Sequence, residues 1–136
     1  MAQTTPVPEP DGVPAACDRA FLDCERLDVY RVAIEFQQDA VRIGSNRRIG
    51  ANLRDQLDRA SVSIVLCIAE GAGRRSIRDK ARFYNMACGS ASECAAILDL
   101  LAARGLLTAA EHRRGRGQLI RVIQMLTRLG SRANGR

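Results

Sequence analysis

Clusters of arginine are the feature of this chain best suited to chemistry, and that chemistry is the binding of phosphate. Arginine supplies 20 of the 21 basic side chains. A guanidinium group presents paired donors that match the oxygens of a phosphate. One cluster lies at a predicted connection between helices and another lies along the last predicted helix. The candidate nucleic-acid-binding residues are Arg74, Arg75, Arg78, Lys80, Arg82, Arg113, Arg114, Arg116 and Arg121.

The net charge of +6 is unevenly distributed along the 136 residues. Residues 1–46 carry four basic and eight acidic side chains, whereas residues 47–136 carry 17 basic and seven acidic ones. A basic segment favours a polyanionic partner such as RNA or DNA. Because only 4% of residues are aromatic, we expect contacts to phosphates rather than to stacked bases, and a strong dependence on salt. The alternative is that these arginines only solvate helix faces.

A second set of residues is polar but stands in otherwise apolar helical segments. A buried polar group needs hydrogen-bond partners. We therefore expect this set to form a hydrogen-bonded layer between the second and third helices, or to lie at a subunit interface. A pocket for a small ligand is the alternative, and nothing else in the sequence supports it. The set comprises Gln56, Arg59, Ser63, Glu70, Ser90 and Glu93.

Catalytic and metal-binding patterns are weak. His112 is the only histidine, and no nucleophile or carboxylate stands at a fixed spacing from it. The cysteines are five, an odd number, and form no CxxC pair, so we expect small core residues rather than disulfides or metal ligands. Gly71-Ala72-Gly73 lacks the strand and the lysine of a phosphate-binding loop. The sequence therefore predicts a protein without enzymatic activity, metal or cofactor.

Apolar residues recur at helical spacing from about Cys24 onward, and no proline occurs there. Glycines and capping residues divide this region into helices over about 28–43, 51–71, 76–104 and 108–130. Their predicted buried faces include Val41 in the first helix and Phe83 in the third. Four helices with short connections predict an all-α, antiparallel, up-down-up-down bundle.

The remaining sequence predicts tails and a location. All four prolines lie within the first 14 residues, which suggests a flexible tail over residues 1–23, a bundle domain over 24–130 and a short tail over 131–136. The first residues lack a secretory pattern, and no run of about 18 uncharged apolar residues occurs. We therefore expect a cytoplasmic protein without a membrane-spanning segment.

Three motifs together resemble a known family. The first is Gln56-Leu57-Asp58-Arg59-Ala60-Ser61-Val62-Ser63-Ile64 followed by Ile68-Ala69-Glu70-Gly71-Ala72-Gly73-Arg74-Arg75-Ser76. Leu27-Asp28-Val29-Tyr30 precedes it, and Phe83-Tyr84-Asn85-Met86-Ala87-Cys88-Gly89-Ser90-Ala91-Ser92-Glu93 follows it. These motifs resemble the four helix bundle protein family, which includes proteins encoded in intervening sequences of bacterial 23S ribosomal RNA genes. Cys67 stands where that family usually has asparagine.

The resemblance implies a left-handed bundle that assembles as a homopentameric ring. It also implies relatedness to the accessory variability determinant of diversity-generating retroelements, a basic pentamer that works with a reverse transcriptase and RNA. We therefore predict an accessory or scaffold protein that binds nucleic acid through arginine-rich surfaces of a ring. The alternative is an adaptor that docks a partner enzyme such as a reverse transcriptase and has no direct role with nucleic acid.

Overall fold

The computed structural model describes residues 22–133, with side chains up to Ser131. A short 3-10 helix, Asp23–Arg26, precedes four α-helices, and this part of the chain contains no strand. The helices are α1 (Asp28–Gly44), α2 (Ala51–Gly73), α3 (Ile77–Ala103) and α4 (Ala109–Ala133). The predicted all-α class and the number of helices are confirmed.

Side-chain capping marks where α3 and α4 begin. At α4, the Thr108 hydroxyl accepts a hydrogen bond from the Glu111 N–H at 3.1 Å, and the Glu111 carboxylate accepts one from the Thr108 N–H at 3.2 Å. This reciprocal pair satisfies two donors that the first helical turn leaves free. Ser76 accepts a hydrogen bond from the Asp79 N–H at 3.4 Å. After α3 the chain turns at Gly105, whose φ of +70° suits glycine.

Each helix contacts two others, because α2 packs on α1 and α3 while α4 packs on α3 and α1. The interior between them is mostly aliphatic, with one phenylalanine, one tyrosine, three cysteines and a few polar side chains. Its largest fully buried side chains are Phe36, Ile49, Leu57, Ile64, Ile68, Leu98, Leu101, Leu119 and Leu126. Burying side chains of this size stabilises the fold by about 1.5–3 kcal/mol each.

Two residues predicted to be buried are not buried. In both cases the buried face of the helix is rotated about the helix axis relative to the predicted face. In α1, Val41 is 54% exposed, while Val32 and Ile43 are buried. The buried face of α1 is therefore turned so that it includes Asp39. In α3, Phe83 is only half-buried and the neighbouring Tyr84 is buried. Adjacent residues on a helix point about 100° apart, so a small error in phase exchanges such neighbours.

Two glycines allow close approach of neighbouring helices. A Cβ placed on Gly71 would lie 2.8 Å from the Tyr84 ring of α3, and one on Gly115 would lie 2.6 Å from Leu98 Cδ1. Both distances are far below an ordinary van der Waals contact. Gly117, only two residues from Gly115, has no atom within 4 Å of such a Cβ. The α2–α3 and α3–α4 contacts therefore depend on glycine at one position each.

The ends of the domain differ slightly from the expected boundaries. Residues 131–133, which the sequence places in the C-terminal tail, continue α4. The proposed flexible tail falls almost entirely on residues 1–21, which lie outside the described residues.

Helix α3 is long and apolar enough to cross a membrane by length and composition. A core helix passes the same test, and α3 packs on both α2 and α4.

Candidate nucleic-acid interface

Four arginines surround the turn between α2 and α3, and we call them the basic corner: Arg74, Arg75, Arg78 and Arg82. Two of them hold the same aromatic ring, with the guanidinium of Arg74 4.8 Å and that of Arg82 5.0 Å from the centroid of Phe83. Cation–π contacts of this kind stabilise by about 0.5–1 kcal/mol at exposed sites. Phe83 therefore holds two guanidinium groups at this end of the domain.

The four arginines of the basic corner differ in how they are engaged. Arg74 donates to a Glu70 carboxylate oxygen at 2.9 Å, so part of its charge is neutralised. Arg75 and Arg78 are exposed and form no ion pair within residues 22–133. Arg75 and Arg78 are therefore the two arginines of the corner that neither a carboxylate of the described residues nor the Phe83 ring engages.

Lys80 has a structural engagement that its position in the basic cluster did not indicate. Its ammonium donates to the carbonyl oxygens of Ala72 at 2.8 Å and Gly71 at 3.3 Å. These carbonyls belong to the last turn of α2, where a helix leaves acceptors without intrahelical partners. A cation at this position also interacts favourably with the negative end of the helix dipole. Lys80 therefore fastens the start of α3 to the end of α2.

The predicted arginines of α4 fall into two groups. Arg114 donates from Nε to Asp39 at 2.8 Å, and Arg116 donates to both Asp99 oxygens at 3.1 and 3.2 Å. Arg113 and Arg121 are exposed and form no ion pair among the described residues. The helix thus uses two of its arginines to contact carboxylates of α1 and α3.

Asp39 is the centre of a polar cluster that sequence reasoning missed. This carboxylate is 7% exposed. It accepts hydrogen bonds from Arg114 at 2.8 Å and from Gln118 Nε2 at 3.1 Å, and it pairs with Arg42. The Gln118 amide oxygen is buried without a partner in the structure. The available signal was an acidic residue between Phe36 and Ala40 on the apolar face of α1.

The polar set of α2 and α3 mostly gathers along one open groove of about 530 Å³ between the two helices. Within it, Ser90 donates to the Ser63 hydroxyl at 2.9 Å, and the amide of Gln56 donates to Asn52 at 3.0 Å. Arg59 and Glu93 line the same groove and are exposed. Glu70 lies apart, because it faces Arg74 at the end of α2.

His112 pairs with Asp99 of α3 at 2.7 Å, and Arg116 contacts the same carboxylate. The hydrogen bond with His112, followed by the charge of Arg116, holds the pKa of Asp99 below its usual value. Within residues 22–133, no three His, Cys, Asp or Glu side chains are grouped as a metal site would require. The histidine thus takes part in a contact between α3 and α4.

The cysteines within residues 22–133 are unpaired. Cys24, Cys67 and Cys94 are buried, and Cys88 is half-buried. Burial raises the pKa of the Cys94 thiol to about 12, which keeps it protonated. The Cys67 sulfur lies 3.8 Å from the Ser63 hydroxyl, so it borders the Ser63–Ser90 hydrogen bond. Cys17 lies outside the described residues.

The fold and the surface define a class of protein: a helical domain with arginines concentrated at the turn between α2 and α3 and along α4. The family model of the 23S rRNA-intervening sequence protein matches residues 25–128, and the chain belongs to that family. The match includes every predicted site residue. No curated protein matches the chain significantly.

Proposed function

We propose that this protein is a non-enzymatic accessory or scaffold that binds RNA or DNA through its arginine-rich surfaces. The observation that supports this function best is the basic corner. Arg75 and Arg78 are exposed and outside any ion pair of the described residues, while Phe83 holds Arg74 and Arg82 beside them. The paired N–H donors of these guanidinium groups match the phosphate oxygens of a nucleic-acid backbone.

The mode of binding follows from which groups are exposed. The Phe83 ring lies at the corner, and two guanidinium groups already approach it. Stacking of a base there would have to displace them. Binding through phosphate contacts has little sequence specificity. Its affinity falls steeply as the salt concentration rises, because binding releases counterions from the nucleic acid.

The assembly is part of the same proposal. Connections of three to six residues and contacts of each helix with two others support an antiparallel, up-down-up-down bundle. We further propose that this bundle is left-handed and assembles as a homopentameric ring, as the resemblance implies, and that the protein acts in the cytoplasm without a membrane segment, metal or cofactor. In a ring, the basic corner is repeated around the axis, so several weak phosphate contacts act together.

Fluorescence anisotropy with structured RNA and with duplex DNA tests this function. We expect binding at about 50 mM salt that weakens at least tenfold by about 200 mM, in line with several phosphate contacts. The variant Arg75→Ala/Arg78→Ala should lose most of the affinity. The matched control is Arg47→Ala/Arg48→Ala, which removes two exposed arginines from the turn between α1 and α2. Absence of binding at about 50 mM salt, or equal losses in both variants, would contradict the proposal.

The alternative function is that of an adaptor that docks a partner enzyme such as a reverse transcriptase. The observation that favours it is exposed apolar surface, since Leu66 and Met86 are more than half exposed. An adaptor without a nucleic-acid role would keep its biological activity in the Arg75→Ala/Arg78→Ala variant. Under the main proposal that variant is inactive although it folds.

A further inference from the structure

The outward face of α2 carries a regular row of residues that the rest of residues 22–133 does not cover. Seven positions follow one another at alternating spacings of four and three, and none of them is buried. An average spacing of 3.5 residues is the periodicity by which one helix packs along another. We call this row the outer row, and it consists of Asn52, Gln56, Arg59, Ser63, Leu66, Glu70 and Gly73.

A second row on α3 lies beside the outer row. The hydrogen bond of 2.9 Å between Ser63 and Ser90 brings the two helices together at this face. Met86, Ser90 and Glu93 are spaced by four and three residues, so they lie on one face of α3. The two rows border an open groove lined by residues of both helices, which we call the outer groove.

The two rows that border the outer groove also carry exposed apolar side chains beyond its polar lining. Leu66 is 58% exposed and Met86 is 51% exposed. Helix α3 is apolar enough to resemble a membrane span, yet only 33% of that apolar window is buried within the chain. Exposed apolar side chains grouped around polar ones are typical of surfaces that bind protein.

Its charges indicate the partner. Arg59 and Glu93 both line the outer groove. Neither forms an ion pair within the part of the chain that is described. A surface that carries one free cation and one free carboxylate is complementary to a second copy of itself. Arg59 belongs to the row on α2 and Glu93 to the row on α3, so the α2 row of one copy can meet the α3 row of the next. A closed ring of an odd number of subunits needs such a contact between two different surfaces.

We propose that the outer groove is the contact between copies of this chain, with Arg59 of one copy paired with Glu93 of the next. Leu66 and Met86 contribute the apolar part of this contact. The inference rests on the self-association in the proposed function and adds its location. It places Gln56, Ser63 and Ser90 in the contact between subunits, which accounts for polar residues on an open face.

Two charge reversals test the contact. Arg59→Glu and Glu93→Arg each place like charges opposite each other in every contact between identical copies, which disfavours association. We expect each variant alone to associate at least tenfold more weakly than the wild type in sedimentation velocity. The double variant Arg59→Glu/Glu93→Arg carries both reversals in one chain, so opposite charges meet again in every contact, and we expect it to associate like the wild type. Because Arg59 and Glu93 form no ion pair within residues 22–133, this recovery reports a contact between molecules.

Controls separate folding and the parent function from the contact. Arg59 and Glu93 are exposed, so both variants should keep wild-type helicity and melting temperature. Leu66→Asp should also weaken association, whereas Ile120→Asp, a comparably exposed apolar position on α4, should not.

A wild-type protein that is monomeric at high concentration overturns the proposed ring as well. Wild-type assembly that both charge reversals leave unchanged, or a double variant that fails to reassociate, overturns this contact alone. A monomer that binds a different protein at Leu66 also overturns it.

Discussion

Arg114 donates from Nε to the Asp39 carboxylate at 2.8 Å and so connects α4 to α1. The carboxylate is almost completely buried, while the arginine side chain keeps 65% of its surface exposed. Asp39 also receives a hydrogen bond from Gln118, one turn further along α4. A buried carboxylate remains charged at low cost only when donors surround it. The contact of α1 with α4 therefore depends on this cluster as well as on apolar packing.

Replacing Asp39 by alanine should destabilise the fold by about 2 kcal/mol, because hydrogen bonds to charged groups are lost and Gln118 is left buried without its acceptor. Urea denaturation followed by circular dichroism measures the change. Arg113→Ala is the matched control, since Arg113 is exposed and lies beside Arg114. Equal stabilities of the Asp39→Ala and Arg113→Ala variants would contradict the assigned role.

Gly115 and Gly117 should respond in opposite directions to substitution by alanine. Gly115→Ala forces a methyl group against Leu98 in a fully buried position, and overpacking of this kind costs about 1–3 kcal/mol. Gly117→Ala meets no atom and should stabilise the exposed helix by about 0.5–1 kcal/mol. Thermal melting of the two variants compares them directly. A gain in melting temperature for Gly115→Ala would show that α3 and α4 are not as close as the structure has them.

These glycines show what could be predicted from the sequence and what could not. Periodicity and capping residues predicted four helices with bounds that differ by at most about three residues from those observed. Local sequence cannot tell Gly115 from Gly117, since glycine lowers helix propensity at both positions of α4. Their difference arises from Leu98 on another helix. Contacts between helices depend on the rotation of each helix about its axis, which periodicity leaves uncertain by one residue.

Lys80 should matter for stability and Arg78 for binding, although both belong to the predicted basic cluster. Lys80→Ala removes the donor to the last carbonyls of α2 and should cost about 1 kcal/mol. Arg78→Ala should change stability by less than about 0.5 kcal/mol, since its side chain is exposed. Under the proposed function, Arg78→Ala lowers affinity for nucleic acid more than Lys80→Ala does. The reverse order in both denaturation and anisotropy would refute this division.

The contact of Asp99 with His112 and Arg116 should depend on pH. The pKa of the folded Asp99 carboxyl lies below its usual value of 3.8, first because of the hydrogen bond to His112. A lowered pKa means that the contact stabilises the fold above about pH 4 and that this stabilisation is lost as the pH falls through the folded pKa. The stability difference between wild type and Asp99→Asn should therefore shrink as the solution is acidified.

Two measurements check this behaviour. Urea denaturation at about pH 7 and about pH 3 gives the stability difference on both sides of the transition. Carbon NMR gives the Asp99 titration directly, and His112→Ala should raise its pKa toward 3.8. A stability difference that stays constant over the whole pH range, or a midpoint unaffected by His112→Ala, would rule out the contact as the cause.

Less of the candidate site than of the fold could be predicted. The sequence indicates where basic residues cluster, and the exposed Arg75 and Arg78 are among those it selected. It could not separate them from Arg114, which is paired with Asp39 about 75 positions away in the chain. Nor could it distinguish an internal polar layer from an outward one for Arg59 and Glu93. Both distinctions depend on which faces of different helices meet, and no local pattern encodes that.

The engagement of Lys80 limits how the charge of this protein can be regulated. Lys80 is the only lysine of the chain, and its ammonium is bonded to the carbonyls of Gly71 and Ala72. Acetylation removes charge from lysine but does not act on arginine, and guanidinium groups keep their proton throughout the physiological pH range. The positive charge of the basic corner is therefore permanent. A cell could weaken it by competing anions or by altering the amount of protein, but not by acetylating the side chains that carry it.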